Sequence, residues 1–462
     1  MTLPARLAGS ARRLSQLHED PAVIARWQAW TRPVLSRMTP GRRRAVLALA
    51  ALYSVGWQPL QEVKPTGMLK SPDALPAVVA VVLLCFALVL VVYLAACRFP
   101  ALPAAVRARP QLWLHGCFWT LVLLHRLAPG PSGVAALAFS GVVITLPFLL
   151  WRLGYLLKSG QRGHLSGTRF SDHLIYLYPS YGGPNTPYGK GLDYLARHEA
   201  HSQEDLARSQ LAGLKLVVLA WIWSRALDLM RGLVYAEPGG TLSAHGLGVA
   251  RLGALLPAGG QAAWAAAWAA VYGELVWEVL KLAAQGHAIV GILRFFGFNV
   301  FRNTYRPLLA PSVVEFWNRY FYYFKELMVD FFFFPTYIRR FRQHPRLRIF
   351  AATLAAAGFG NLYYHVLKND AFLLALDWVG FLPWLGLRAF YCLALSLGIY
   401  VSMVREQRRR GARTGPPVSL ATRVRRIAGV WTFYGLIAIW GADSTATFQQ
   451  RVDFFLSLFG LR

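Results

Sequence analysis

The sequence predicts an all-α polytopic membrane protein, and three observations carry that reading. Of its 462 residues, 56% are hydrophobic and only 15% charged, against roughly 25% charged in a soluble domain. The mean hydropathy is +0.38. Residues 76–97, PAVVAVVLLCFALVLVVYLAAC, run for 22 positions without a charge. That is roughly 33 Å of helix against a hydrocarbon core of about 30 Å, and the stretch begins too late to be a signal peptide.

Charge and cysteine usage exclude other classes. The net charge of +28 would by itself suggest nucleic acid. The arginines, however, cluster between apolar runs rather than along a soluble face, so no nucleic-acid partner is expected. The four cysteines (Cys85, Cys97, Cys117, Cys392) all sit inside apolar segments without paired spacing. Neither a disulfide framework nor a thiolate metal site organises the chain.

The elements follow in order. Residues 1–42 are a basic segment whose Leu7, Ala11, Leu14 and Leu17 share one helical stripe, with Arg6, Arg12 and Arg13 elsewhere around it. Such a helix lies on anionic headgroups or simply anchors the topology. Residues 43–145 carry candidate spans at about 43–61, 76–97 and 111–128, and a further one begins near 133 and runs to 157. The polar stretch 158–209 contains SYGGPNTPYGKG (180–191), dense in turn formers but lacking GxGxxG and GxxxxGK[ST], and reads as a structural loop. Spans at about 210–235, 259–283 and 346–367 complete a central region, 146–370. Residues 371–462 hold spans at 373–404 and 427–442 around a basic loop, 405–426. Residues 285–299, QGHAIVGILRFFGFN, are apolar but short, and are expected to dip in without crossing.

Arginine placement sets the expected orientation. Residues 1–44 hold nine arginines, 339–348 hold five and 405–426 hold eight, whereas 129–133 and 236–258 are nearly uncharged. The positive-inside rule puts the basic stretches and the N-terminus in the cytoplasm. Alternate counting satisfies this only if 285–299 is re-entrant. Within the spans, Glu274, Glu278 and Lys281 fall on adjacent turns and should face an aqueous cavity or one another. Arg225 and Asp228 form a similar pair, and Glu315 and Arg319 are an i,i+4 ion pair. The histidines form no metal-ligand constellation; His198 and His201 lack a third ligand nearby.

From residue 286 the chain reads GHAIVGILRFFGFNVFRNTYRPLLAPSVVEFWNRYFYYFKELMVDFFFFPTYIRR. This resembles the central signature of the membrane-bound O-acyltransferase family, in particular its bacterial polysaccharide O-acetylase and teichoic-acid D-alanylation branches. Gly297 and Phe298 are followed by Arg302, Asn303 and Tyr305. Ser312, Glu315, Phe316, Trp317, Arg319 and Tyr320 then fall in step, with Asp330 and Pro335 at the family's spacing. Upstream, LPFLLWRLGYLL (146–157) and YPSYGGPN (178–185) resemble two earlier family segments. GFGNLYYHVL (358–367) supplies the family's late-helix histidine, His365, after Tyr363 and Tyr364. The resemblance covers about residues 145–370. Where the family carries His or Asn after F-W-x-R-[WY], this chain has Phe321. Asn318 or Glu326 from a neighbouring helix face, or His365 alone, would then supply the polar function. The G-x-S-D step is also altered, since Gly286 and His287 run into Ala288.

The resemblance implies a ring of tilted helices around a central funnel, with 286–335 as short and re-entrant helices at its waist, broken at Gly286, Gly291, Gly297 and Pro335. It implies transfer of an acyl group, such as acetyl, from a cytoplasmic thioester such as acyl-CoA to a hydroxyl of an extracytoplasmic glycan or lipid-linked acceptor. No tightly bound cofactor or metal is implied; a helper protein of the envelope is. His365 would be the catalytic base, a role that suits an imidazole with an ordinary pKa of about 6.5. Asn318, Arg319, Tyr320, Phe321, Asn361 and Tyr364 would line the substrate tunnel. The alternatives are a lipid or small-molecule acyltransferase of the same family, and an inactive scaffold or a transporter.

Overall fold

The computed structural model describes residues 16–50, 73–127, 133–174, 190–411 and 419–461. Helices are the only regular secondary structure among the described residues, beside a single isolated bridge between Glu199 and Phe298. Four of the helices are long and apolar enough to cross a membrane: Ala74–Cys97, Gly133–Gln161, Trp264–Phe295 and Trp378–Arg408. The chain divides into two compact units.

The first unit comprises Met1–Leu219, His287–Phe301 and Leu373–Leu376. Of the expected surface helix, Leu7, Ala11 and Leu14 lie outside the described residues; the chain is helical from Pro21 to Leu35 (α1). A second helix, α2, covers 40–50, and the rest of the 43–61 span lies outside the described residues, as do 178–185 and most of 180–191. The expected spans appear as α3 (Ala74–Cys97), α4 (Pro110–Leu127) and α5 (Gly133–Gln161). The Gln111 amide at the start of α4 donates to the Gly154 carbonyl of α5 at 2.9 Å, giving a polar tie where lipid offers none. Arg43 on α2 is 2% exposed and faces Glu199, to which Arg44 also donates. Arg43 further donates to the Ala200 carbonyl at 3.0 Å. Charges so deeply placed are tolerated only when paired and hydrogen-bonded.

The second unit comprises Ala220–Gly286, Arg302–Phe372 and Asp377–Arg462. Its elements are the end of α6 (Gln203–Leu229), the first two-thirds of α7 (Trp264–Phe295), then α8 (Val313–Tyr320), α9 (Tyr322–Met328), α10 (Phe334–Arg339), α11 (Pro345–Thr353), α12 (Asn361–Leu367), α13 (Trp378–Gly411), α14 (Leu420–Gly441) and α15 (Phe448–Ser457). Wide π-type turns at 329–333 and 354–360 join α9 to α10 and α11 to α12 without a break, so Pro335 sits at the start of a helix that continues past it. Leu252, Leu256, Val271, Ile439 and Phe454 form a core between α7, α14 and α15. Arg451 is 2% exposed and donates to the carbonyls of Ile439 and Ala442, meeting the otherwise unpaired C-terminal carbonyls of α14.

One expectation is corrected here. Residues 285–299 do not form an element of their own: α7 runs unbroken for 32 residues through Gly286 and Gly291 to Phe295. Those glycines serve close approach rather than a kink. A Cβ at Gly291 would lie 2.9 Å from the Val217 side chain, and one at Gly286 would lie 3.2 Å from that of Asn303. Helical glycine costs about 1 kcal/mol relative to alanine. The helix ends where Gly297 takes φ +84°, a value suited to glycine.

Candidate functional site

A cavity of about 380 Å³ lies within the second unit, walled by α7, α8, α12, α13 and α14. Its shape begins with a helix break. α8 is capped by Ser312, whose hydroxyl accepts from the Glu315 N–H at 3.2 Å and donates to the Glu406 carboxylate. α8 stops at Tyr320, and Phe321 leaves helical geometry (φ −138°, ψ 64°) before α9 begins. Such a break strands backbone groups at two helix ends. The 303–305 segment meets them: the Thr304 hydroxyl donates to the Tyr320 carbonyl at 3.0 Å, and the Tyr305 N–H to the Arg319 carbonyl at 2.7 Å. On the far side, the Tyr322 N–H donates to the Asn303 carbonyl at 3.0 Å, and the Tyr323 N–H to the Asn303 Oδ1 at 3.1 Å. Asn303 and Thr304 are both buried.

The break directs Tyr320 and Phe321 onto the cavity, beside Phe316 and Trp317. The 3.6-residue period turns Asn318 and Arg319 away. Asn318 is exposed, and Arg319 is held by Glu315 on its own helix. Neither lines the cavity, so of the six expected tunnel residues Tyr320, Phe321, Asn361 and Tyr364 are brought together and these two are not. Glu326 pairs with Lys325 at 2.6 Å and is also absent from the lining.

Asn361, Tyr364 and His365 enter from α12. Asn361 and His365 are i,i+4 neighbours on one face. Among the described residues, no group hydrogen-bonds to the Asn361 amide or the His365 ring nitrogens. The imidazole contacts the rings of Tyr364 and Tyr391, at centroid distances of 6.3 and 6.4 Å. Phe324 packs on Tyr364 at 4.9 Å, tying α9 to α12. The Tyr434 ring stacks on Phe316 at 3.9 Å, and its hydroxyl donates to the Val313 carbonyl at 3.0 Å, fixing α8 against α14.

The remaining wall is charged. Glu274, Glu278 and Lys281 of α7 line the cavity, with Lys281 Nζ 3.3 Å from Glu278. All three line the cavity, and Glu278 and Lys281 also meet one another. Arg388 of α13 donates to Asp443 at 2.7 Å. Arg388, Tyr391, Tyr434 and Asp443 were not found from the sequence. Arg388 had a signal, the one charge in the apolar run 378–404; the tyrosines had none. Among the described residues, no three His, Cys, Asp or Glu side chains converge as metal ligands would. The arrangement offers one imidazole able to accept a proton, an amide beside it, and an aromatic floor with a polar rim. No protein-family model matches the chain, and no curated protein matches it.

Proposed function

We propose that the chain is a membrane-bound O-acyltransferase, a multi-pass protein of the inner (plasma) membrane with its N-terminus in the cytoplasm. It moves an acyl group, such as acetyl, from a cytoplasmic thioester such as acyl-CoA to a hydroxyl of an extracytoplasmic glycan or lipid-linked acceptor. A ring of tilted helices around a funnel is the architecture that goes with this reading, and an envelope helper protein would present the acceptor. The observation that carries it is the convergence of two distant segments of the resemblance: Phe316, Trp317, Tyr320, Phe321 and Phe324 line one cavity with Asn361, Tyr364 and His365. In the reaction the acceptor hydroxyl oxygen attacks the thioester carbonyl carbon. A ring nitrogen of His365 takes the hydroxyl proton, the carbon–sulfur bond breaks, and the proton passes to the departing thiolate. Asn361 orients the ring or the substrate carbonyl from the same helical face.

A second reading has one specific observation in its favour. Phe321 lines the cavity where the resemblance places a polar residue, as in a chain that keeps the fold as a scaffold without turnover. Purified full-length protein, incubated with labelled acetyl-CoA or longer acyl-CoA donors and native membranes, separates the two. Label transfer that depends on His365 supports the transferase; no transfer from any donor favours the scaffold.

A further inference from the structure

A strongly unbalanced charge lies away from the cavity, at the hairpin between α10 and α11. Residues 339–348 contain Arg339, Arg340, Arg342, Arg346 and Arg348, and the sequence has no acidic residue between Asp330 and Asp370. Among the described residues, none of these five guanidinium groups meets a carboxylate. Arg342 donates to the Ile338 carbonyl at 2.8 Å, and Arg348 lies 3.8 Å over the Tyr337 ring. The side chains of Arg339, Arg340 and Arg346 make no hydrogen bond to any described residue. Every residue from 338 to 347 is exposed.

The same surface is apolar as well as basic. Phe334, Ile338, Phe341 and Leu347 are exposed among the arginines. Phe341 holds φ +50°, a left-handed value that bulky residues rarely adopt and that marks a constrained turn. Exposed guanidinium groups without counter-charge attract anions from outside the chain. Exposed aromatic and branched side chains between them favour an apolar boundary beside those anions. An acidic soluble protein would supply the first and leave the second unexplained. A phospholipid monolayer supplies both at one depth.

We propose that the Phe334–Arg348 hairpin is a binding surface for anionic phospholipid headgroups. The arginines hold the phosphates while Phe334, Ile338, Phe341 and Leu347 enter the acyl boundary. This does not depend on the transferase reading. The hairpin is nonetheless continuous with the helices that carry Phe321 and His365 at their far ends, so lipid held there would steady the cavity wall.

The test uses the full-length protein in nanodiscs of phosphatidylcholine alone and of phosphatidylcholine with phosphatidylglycerol. Two quantities are read: the thermal unfolding temperature, and the lipid retained after detergent exchange. For the unaltered chain, retained phosphatidylglycerol should exceed its bulk fraction at least about fivefold. The unfolding temperature should rise on the order of 3 °C or more with the anionic lipid. The combined variant Arg339→Gln, Arg340→Gln and Arg346→Gln should lose both effects. A charge-matched variant at arginines that already have carboxylate partners, Arg208→Gln, Arg225→Gln and Arg319→Gln, should keep them. If the first variant is already less stable in phosphatidylcholine, lipid retention alone decides. Equal retention of both lipids by the unaltered chain would overturn the proposal, as would equal loss in the two variants. So would co-purification of an acidic protein that the first variant alone fails to retain, in place of lipid.

Discussion

In the proposed transfer His365 is the residue on which the chemistry would turn, and its neighbours explain why. Its ring is held by aromatic contacts with Tyr364 and Tyr391 rather than by a hydrogen bond to a described residue, which leaves a nitrogen available to substrate. His365→Ala should therefore lower turnover by about 10²–10⁴-fold, the usual range for loss of a general base. The unfolding temperature should change little. Labelled-acyl transfer and a thermal melt on the same preparation check this, and near-normal turnover in folded protein would remove His365 from the mechanism. Phe321 is different in kind. It fills cavity space beside Phe324, with ring centroids 5.2 Å apart, so Phe321→Ala enlarges the cavity and should shift acyl-chain preference more than rate. Competition between short and long acyl donors reads that ratio; a rate loss matching that of His365→Ala would make the ring part of the catalytic centre.

At the scale of elements, the α8–α9 break is the feature that makes the cavity, and Asn303 is its brace. Its Oδ1 and its own carbonyl accept the first two N–H groups of α9. Asn303→Ala strands one buried N–H, which costs about 1–3 kcal/mol. Chemical or thermal unfolding in detergent should show that loss, while Asn303→Asp, which keeps an acceptor, should recover part of it. The Asn-Thr-Tyr step of the resemblance thus has a structural reason beside any catalytic one. A second element-scale tie joins the connection after α6 to its own later part: the Arg251 guanidinium hydrogen-bonds Glu237 at 2.7 Å and holds its carboxyl below the ordinary carboxylate range. The unfolded chain then binds more protons than the folded one between the two pKa values. Stability from the pair is present above the unfolded carboxylate pKa of about 4.3 and is lost as pH falls through the lower folded value. The gap in unfolding temperature between the unaltered chain and Glu237→Gln should close on acidification from neutral pH; a gap that widened would reverse the sign.

For the whole molecule, the arginine distribution makes a directional claim. The 339–348 hairpin and the 236–258 connection should lie on opposite sides of the membrane, the basic one in the cytoplasm. In a background with the four native cysteines replaced, Arg346→Cys and Ala244→Cys should be labelled by an impermeant maleimide from opposite faces of sealed vesicles. Labelling from one face would show that a span has been miscounted. The unbroken α7 bears directly on that count. At 32 residues it is about 48 Å long, enough to cross with tilt, whereas the expected arrangement gave its last third to a separate re-entrant element. The labelling pattern therefore tests orientation and span count together.

The helical class, most helix positions and the basic stretches were legible in the sequence, because they rest on local quantities: charge-free length, helical period and arginine count. Asn361 and His365 were legible as a pair for the same reason, being one helical turn apart. The identity of the other cavity residues depended on tertiary structure. Whether Gly286 and Gly291 break a helix depends on what packs against them, and here Asn303 and Val217 do. Asn318 and Arg319 stand beside Tyr320 in the chain yet face away, because the rotation of α8 is set by the Tyr434–Phe316 stack and the Ser312 cap. Arg388 and Tyr434 reach the cavity from helices far along the chain, through contacts that no spacing within the sequence encodes.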